Sequence, residues 1–351
     1  MKAARERVHA LLRAAARLAD RDDVLGREAR DKLPSLTGLS PEGVELGFRK
    51  HWEARASEEE IASLLASVEP ASRVHVILSA NVFVGTLRAV ALALAASPHV
   101  FLRPSRREPI VATLLARSLD EAGEGLVHLV DRVEPVSGDE VHVYGHDETI
   151  REVREGLSPD IHLRGHGTGF GLAVHDEGSD LAQAADALAW DVVPFDQRGC
   201  LSPRVVLAPP ALAEAFAAEM ARALREAEAQ VPRGRLFDDE RSAAATWMST
   251  MAMAGGLEEG PWGAVGLDAS SRALLLPPTG RHLQVTAVRD AEHLSRLLAP
   301  LASFVTTVGG EGALAEAASR LAPGARRATF GRMQRPPFDG PVDRRRTEAS
   351  G

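Results

Sequence analysis

The 351 residues are 45% hydrophobic and 26% charged, with a formal net charge of −8; that is enough chain for two packed domains and the balance of an ordinary soluble protein. The negative charge excludes a general nucleic-acid binder, because arginines are interspersed with acids and phosphate neutralisation needs a clustered basic surface. A single cysteine excludes an internal disulfide and any Cys/His metal cluster.

In chain order, the first stretch "MKAARERVHALLRAAARLAD" carries charges every few positions and lacks a secretory signal's apolar core. The most apolar run, "AVALALAASPHVFL", is broken by Pro98 and His99, too short to span a roughly 30 Å hydrocarbon layer. A cytoplasmic protein without a membrane span is therefore expected. Residues 1–67 read as helical, with apolar positions at helical spacing in "VHALLRAAARLA" and "EEEIASLLASV", interrupted by "LPSLTGLSPEG".

From residue 73 strands and helices alternate. "RVHVILSA" reads as a strand, "VGTLRAVALALAAS" as an apolar helix, "HVFLRPS" as a strand, and "EPIVATLLARSLDEAG" as a helix closed by Gly123. "LVHLV" and "EVHVYG" continue as strands, "DETIREVREGL" as a helix and "GLAVHD" as a strand. Such alternation implies a doubly wound α/β domain, with ligands outside the carboxyl ends of its strands. A GxGxxG fingerprint is missing: "GHGTGFG" (165–171) runs into a strand instead of opening a helix.

A second α/β domain is expected after the helix "DLAQAADALAWDVV". "RVVLA" is its first strand and "PALAEAFAAEMARALREAEAQV" a long helix; a strand, helix, strand, helix series follows from "HLQVTAVRD" to "LAEAASRL". The boundaries read from the sequence are 1–185 for the helical N-terminus with the nucleotide-binding domain, 186–325 for the cysteine domain, and 326–351 for an extended C-terminal segment.

The lone cysteine lies in "FDQRGCLSPR" (195–204). Gly199 before it permits close approach to the sulfur, and Pro203 fixes where the next strand begins. Both a small buried filler and a positioned nucleophile fit this pattern. Asp196 and Gln197 read as supports of the loop or caps of the preceding helix.

A second segment accompanies the first. "SANVFVGTLRAVALALAASPHVFLRPSRREP" (79–109) resembles the aldehyde dehydrogenase superfamily segment that begins with an asparagine-containing turn and ends in Lys-Pro-Ser. Within that superfamily, "YGHDETIREVR" (144–154), "FDQRGCLSPR" and "GRMQRPPFDG" (331–340) resemble the long-chain acyl-CoA reductases of the bacterial luminescence fatty-acid reductase type. The likeness runs over about residues 73–340.

The resemblance implies an aldehyde dehydrogenase-like fold of two doubly wound α/β domains with the active site in the cleft between them. It makes Cys200 the acyl-accepting nucleophile, and Asn81, with the Cys200 N–H, the oxyanion donor. Arg103 and Ser105 fall on the Lys-Pro-Ser cofactor contact. Gly145 and His146 fall beside the cofactor pyrophosphate, His146 replacing a small hydroxyl residue. Lysine occurs only at Lys2, Lys32 and Lys50, so Arg103 replaces the family lysine in a chain that uses arginine almost throughout. A guanidinium there suits a 2′-phosphate and favours NADPH, with NADH as the other option.

The superfamily's aldehyde-oxidising members also carry a water-activating glutamate in Glu-Leu-Gly-Gly. Here "LRGHGTGFG" contains no acid, which favours acyl reduction over oxidation to a free acid. His166, in that stretch, reads either as an acid supplying a proton to the departing alkoxide or as a loop histidine that packs. The expected reaction is reduction of a fatty acyl-CoA or protein-delivered acyl group to the aldehyde. Homo-oligomers are usual in the superfamily. The alternative is a non-catalytic family member that binds acyl groups or a partner enzyme in a biosynthetic complex.

Overall fold

The computed structural model describes residues 2–79, 82–178, 180–270 and 272–345. The N-terminal helices are α1 (Lys2–Ala19), α2 (Val24–Thr37), α3 (Pro41–Leu46) and α4 (Glu58–Ala66), with a π-helical turn at Gly47–His51. Side-chain caps set their starts: Asp23 caps α2, Ser40 caps α3, and Ser57 with Glu60 forms a reciprocal capping box on α4. Val8, Leu11, Leu12, Ala15 and Leu18 form one buried stripe along α1.

A sheet unit follows: β1 (Val74–Ile77), α5 (Gly85–Ala96), β2 (Val100–Arg103), α6 (Ile110–Glu121), β3 (Val127–Leu129), β4 (Glu140–Tyr144), α7 (Asp147–Glu155) and β5 (His162–His166). Its strands are parallel in the order β3-β2-β1-β4-β5. Strand order therefore reverses at β1, and the crevice beyond the carboxyl ends of β1 and β4 is the position where doubly wound sheets bind ligands.

Helix α5 is buried along its length from Thr86 to Ala96, as its nearly uncharged sequence requires. The N-terminal helices supply its cover. Arg7 of α1 donates through Nε to the Leu94 carbonyl at 2.7 Å, satisfying an orphan at the end of α5, and Trp52 Nε1 donates to the Ala15 carbonyl at 2.8 Å.

The remaining elements are β6 (Phe170–Val174), α8 (Leu181–Val192), β7 (Pro203–Ala208), α9 (Pro210–Gln230), α10 (Asp238–Ala254), β8 (Gly256–Gly260), β9 (Gly263–Asp268), β10 (His282–Ala287), α11 (Ala291–Leu298), β11 (Val305–Gly309), α12 (Ala313–Leu321) and β12 (Arg326–Ala328). Among the described residues they build a seven-stranded sheet, β12-β11-β6-β7-β10-β9-β8, parallel except for the β8–β9 hairpin. The two doubly wound α/β units match the expected fold class.

Two boundaries differ from the sequence reading. Strand β6 pairs with β7 and β11, so the chain changes sheets in the turn at 167–169 and not at 185/186. Every residue of β6 is buried, which requires a neighbour on both sides, and the second sheet provides them. Likewise β12 pairs with β11, so the second unit extends beyond 325. Strand β5, helix α10 and the β8–β9 hairpin were not singled out from the sequence. Strand β5 ("HLRGH") and β8 ("GLEEG") are polar or glycine-containing and carry little apolar alternation to read. No helix among the described residues is long and apolar enough to cross a membrane.

Candidate active site

The cysteine loop is held under backbone strain. Phe195, Asp196 and Gln197 all have left-handed conformations, with φ of 56°, 48° and 65°. Each such non-glycine residue costs about 1–2 kcal/mol, and a run of three persists only where the surroundings fix it. Gln197 donates through Nε2 to the carbonyls of Pro203 and His282, both at 2.7 Å, and accepts from the His282 N–H at 2.8 Å. Asp196 accepts from Arg281 Nε at 2.9 Å and from the Gly234 N–H at 2.9 Å. Both residues are therefore supports, as read from the sequence. Phe195 packs edge-on against Phe83 and His51, next to the π turn; a Cβ on Gly47 would lie 2.5 Å from Phe83.

This scaffold delivers Cys200 to the wall of a cavity of about 190 Å³ between the two units. The cavity brings together Cys200, His166 and Gly145, three of the residues expected from sequence. Asn81 lies outside the described residues; its neighbours Ser79 and Val82 line the same cavity. A Cβ at Gly199 would approach Gln334 Oε1 to 2.9 Å, so the backbone beside the sulfur runs close to the Gln334 amide. The carbonyl of Cys200 accepts from the Thr306 hydroxyl on β11.

Burial, with a smaller push from the Asp343 carboxylate, raises the Cys200 thiol to about 11, while Arg345 opposes. Cys200 therefore rests as a thiol. His166 stacks on Tyr144 with ring centroids 4.4 Å apart, and burial lowers its pKa to about 4. Its imidazole is thus neutral near pH 7 and lines the cavity.

Several cavity residues escaped the sequence reading. His51 comes from the π turn, and Glu53 follows it. Arg88 is the one charged residue of α5 and is 2% exposed. Its Nε donates to Glu53 at 3.0 Å, and its terminal nitrogens donate to the carbonyls of Pro336, Pro337 and Gly340. Asp343 is held by Arg345, Nε to Oδ1 at 2.8 Å. The glutamate missing from 163–171 is thus not replaced by a carboxylate without a cation: Glu53 and Asp343 reach the cavity, and each is paired with a guanidinium. An arginine inside an apolar helix, and the chain's only tyrosine next to Gly145, were the available signals.

The cofactor candidates Arg103, Ser105, Gly145 and His146 share one rim of the first sheet. Arg103 ends β2 beside Ile77 of β1, and Gly145 and His146 follow β4 on the other side of β1. Ser105 accepts the Arg107 N–H at 3.2 Å, and His146 is exposed at the N-cap of α7 without a side-chain capping bond. The first N–H groups of α7 are thereby left to an anionic ligand, the arrangement a pyrophosphate requires. Asp147 and Glu148 in the first turn act against it, although Asp147 Oδ1 is engaged by the Thr168 N–H at 2.9 Å. On balance the rim fits a dinucleotide.

Comparison with known proteins gives the family. The acyl-CoA reductase (LuxC) profile matches residues 58–343, most of the chain. The chain belongs to the acyl-CoA reductase (LuxC) family. Its fold is that of the aldehyde dehydrogenases. An NAD-dependent benzaldehyde dehydrogenase from Corynebacterium glutamicum superposes with a TM-score of 0.66 at 18% identity, covering 93% of this chain and 81% of that one. A Mycobacterium tuberculosis aldehyde dehydrogenase complexed with NAD+ gives 0.69 at 18% identity, covering 94% and 78%. An oxidoreductase from Marinobacter aquaeolei gives 0.72 at 14% identity, covering 95% and 79%. No curated protein sequence matches. As a LuxC-family member with this fold, the protein is an oxidoreductase of aldehyde-related chemistry.

Proposed function

We infer that this LuxC-family protein reduces an acyl thioester, a fatty acyl-CoA or a protein-delivered acyl group, to the aldehyde with NADPH through an acyl-enzyme on Cys200. The observation that carries the reading is the chain's only cysteine, set by a strained, fully supported loop into a cavity that also holds a neutral histidine. Cys200 Sγ bonds to the acyl carbon as the bond to the departing thiol breaks. The proton leaving Cys200 passes to that thiol, with His166 as its acceptor on the way. The Cys200 N–H and the Asn81 amide are the proposed donors to the developing oxyanion, each such donor being worth about 3 kcal/mol of barrier.

Arg103, Ser105, Gly145 and His146 would hold a nicotinamide dinucleotide at the rim, and that cofactor would supply the hydride that the acyl carbon needs. The resulting thiohemiacetal on Cys200 collapses to aldehyde, and Sγ recovers a proton, as its raised pKa favours. Arg103 supports NADPH over NADH through a 2′-phosphate. With Glu53 and Asp343 paired to arginines, neither is poised to activate water against the acyl-enzyme.

Purified protein with acyl-CoA and NADPH should consume NADPH and release a trappable aldehyde in equal amounts. Cys200→Ala should lower turnover by at least about a thousandfold; an undiminished rate refutes the mechanism. The resting protonated thiol favours a second reading, a non-catalytic acyl-binding relative in a biosynthetic complex. Intact-mass measurement after mixing with acyl-CoA separates the two, because only the enzyme acquires an acyl group on Cys200.

A further inference from the structure

A second cavity, of about 360 Å³, adjoins that of Cys200, and the two share Leu92, His166 and Asp343. It lies on the α5 side of β4 and β5. On the α7 side of these strands, Val141, Val143 and Leu163 pack with Ile150 and Val153. Alternation along the strands therefore turns Glu140, His142 and Tyr144 to the α5 side, together with their register partners His162, Arg164 and His166. Parallel sheets covered on both faces are ordinarily apolar on both, and the same face of β1 and β2 carries Val74, Val76, Val100 and Leu102. A polar patch on this face calls for a polar occupant.

Two of its groups are not satisfied by the protein. His142 is 1% exposed; its Nε2 lies 3.0 Å from the Glu140 carboxylate, while its Nδ1 has no hydrogen-bond partner among the described residues. The buried hydroxyl of Tyr144 has none either. With Nε2–H directed at Glu140, Nδ1 is an acceptor; the phenol, whose pKa burial raises, stays a donor. An amide N–H suits the imidazole, which lines the second cavity, and an amide C=O suits the phenol, which lines that of Cys200. Toward solvent the cavity is lined by Arg164 and the half-exposed Arg344. Their carboxylate partners, Glu140 and Asp339, engage only part of each guanidinium, and the remaining N–H groups suit a phosphate.

We propose that this groove seats a phosphopantetheine arm, with its phosphate on Arg164 and Arg344, its amides against His142 and Tyr144, and its thioester end passing His166 to Cys200. The assignment rests on the thioester reading above and adds a direction: the acyl donor approaches on the α5 side, leaving the crevice beyond β1 and β4 to the nicotinamide. Coenzyme A and a carrier protein present the same arm.

Calorimetric titration of the full chain with CoA, pantetheine 4′-phosphate and pantetheine, at saturating NADP+, tests it. CoA and pantetheine 4′-phosphate should bind with NADP+ in place. Arg344→Glu and Arg164→Gln should each weaken both by about tenfold and leave pantetheine unchanged. Competition between CoA and NADP+, or unaltered CoA affinity in variants that unfold as cooperatively as the parent, overturns the groove. Because binding needs no turnover, the two readings fail separately: phosphate-dependent binding without an adduct on Cys200 refutes reduction alone, whereas reduction that both arginine variants leave unaltered refutes the groove alone. Arg344→Glu should raise KM for acyl-CoA and acyl-carrier protein alike, and the donor with the lower KM in the parent protein is the natural source of the arm.

Discussion

At the scale of single residues, reactivity rests on a thiol raised to about 11 facing an imidazole lowered to about 4, both by burial. Only the thiolate is nucleophilic, and at pH 8 a thiol of this pKa is ionised in roughly one molecule in a thousand. Alkylation of the ligand-free protein by iodoacetamide should therefore be slow and should rise about tenfold per pH unit from 7 to 10. Mass spectrometry reads this directly because there is no other cysteine. A rate that levels off near pH 7 would mean the sulfur is already activated at rest. Reactivity that rises at fixed pH when acyl donor and cofactor analogues are present would place activation in the assembled complex.

Among elements, the turn from α8 into β7 concentrates the strain and its supports. Arg281 spans it: the guanidinium, 1% exposed, bonds Asp196, Glu228 on α9 and the Val231 carbonyl. Arg281→Met keeps much of the volume but leaves Asp196 buried without its closest cation. Breaking a buried pair from one side typically costs about 3–5 kcal/mol, and urea unfolding should show a loss of that order. Gln197→Leu should cost less in stability, since three neutral hydrogen bonds are involved, yet still impair acylation, because the left-handed run at 195–197 would lose one of its restraints. The alternation of strands and helices was legible because apolar runs of strand and helix length differ in period. Strand β5 was not, because His162, Arg164 and His166 on one face are polar and the buried face carries only Leu163 and Gly165, too little apolar alternation to read as a strand.

For the whole molecule, the segment 331–345 works as a strap across both units. Asp191 at the end of α8 accepts the N–H groups of Gly331 and Met333, and Gln334 donates back to the Asp191 carbonyl. The strap then crosses to α5, where Arg88 gathers three of its carbonyls and Phe338 enters the first unit's core. It returns through Arg326 and Arg345, the latter bonding the carbonyls of Thr168 and Ser303. Arg88→Met should loosen the strap: limited proteolysis should cut within 331–345 faster than in the parent, while the rest of the chain stays resistant. Asp191, raised to about 7 by burial, adds a pH signature. A carboxyl whose folded pKa exceeds its unfolded value contributes stability at low pH and loses it as pH rises through the folded value. The difference in unfolding free energy between the parent and Asp191→Asn should therefore shift against the parent between pH 4 and 7.

The sequence by itself determined most of the elements and the fold class, because periodicity is local, while its resemblance to a known family is what joined "FDQRGCLSPR" with the stretches 79–109 and 163–171 at one site. Tertiary structure alone decided that the chain leaves the first sheet at 167–169, that His51, Glu53, Arg88 and Asp343 meet around Cys200, and that thiol and imidazole both rest uncharged. Burial is the common reason. It depends on which distant segments cover a residue, here the N-terminal helices and the C-terminal strap, and the covering segments fix both the neighbours of the sulfur and its charge.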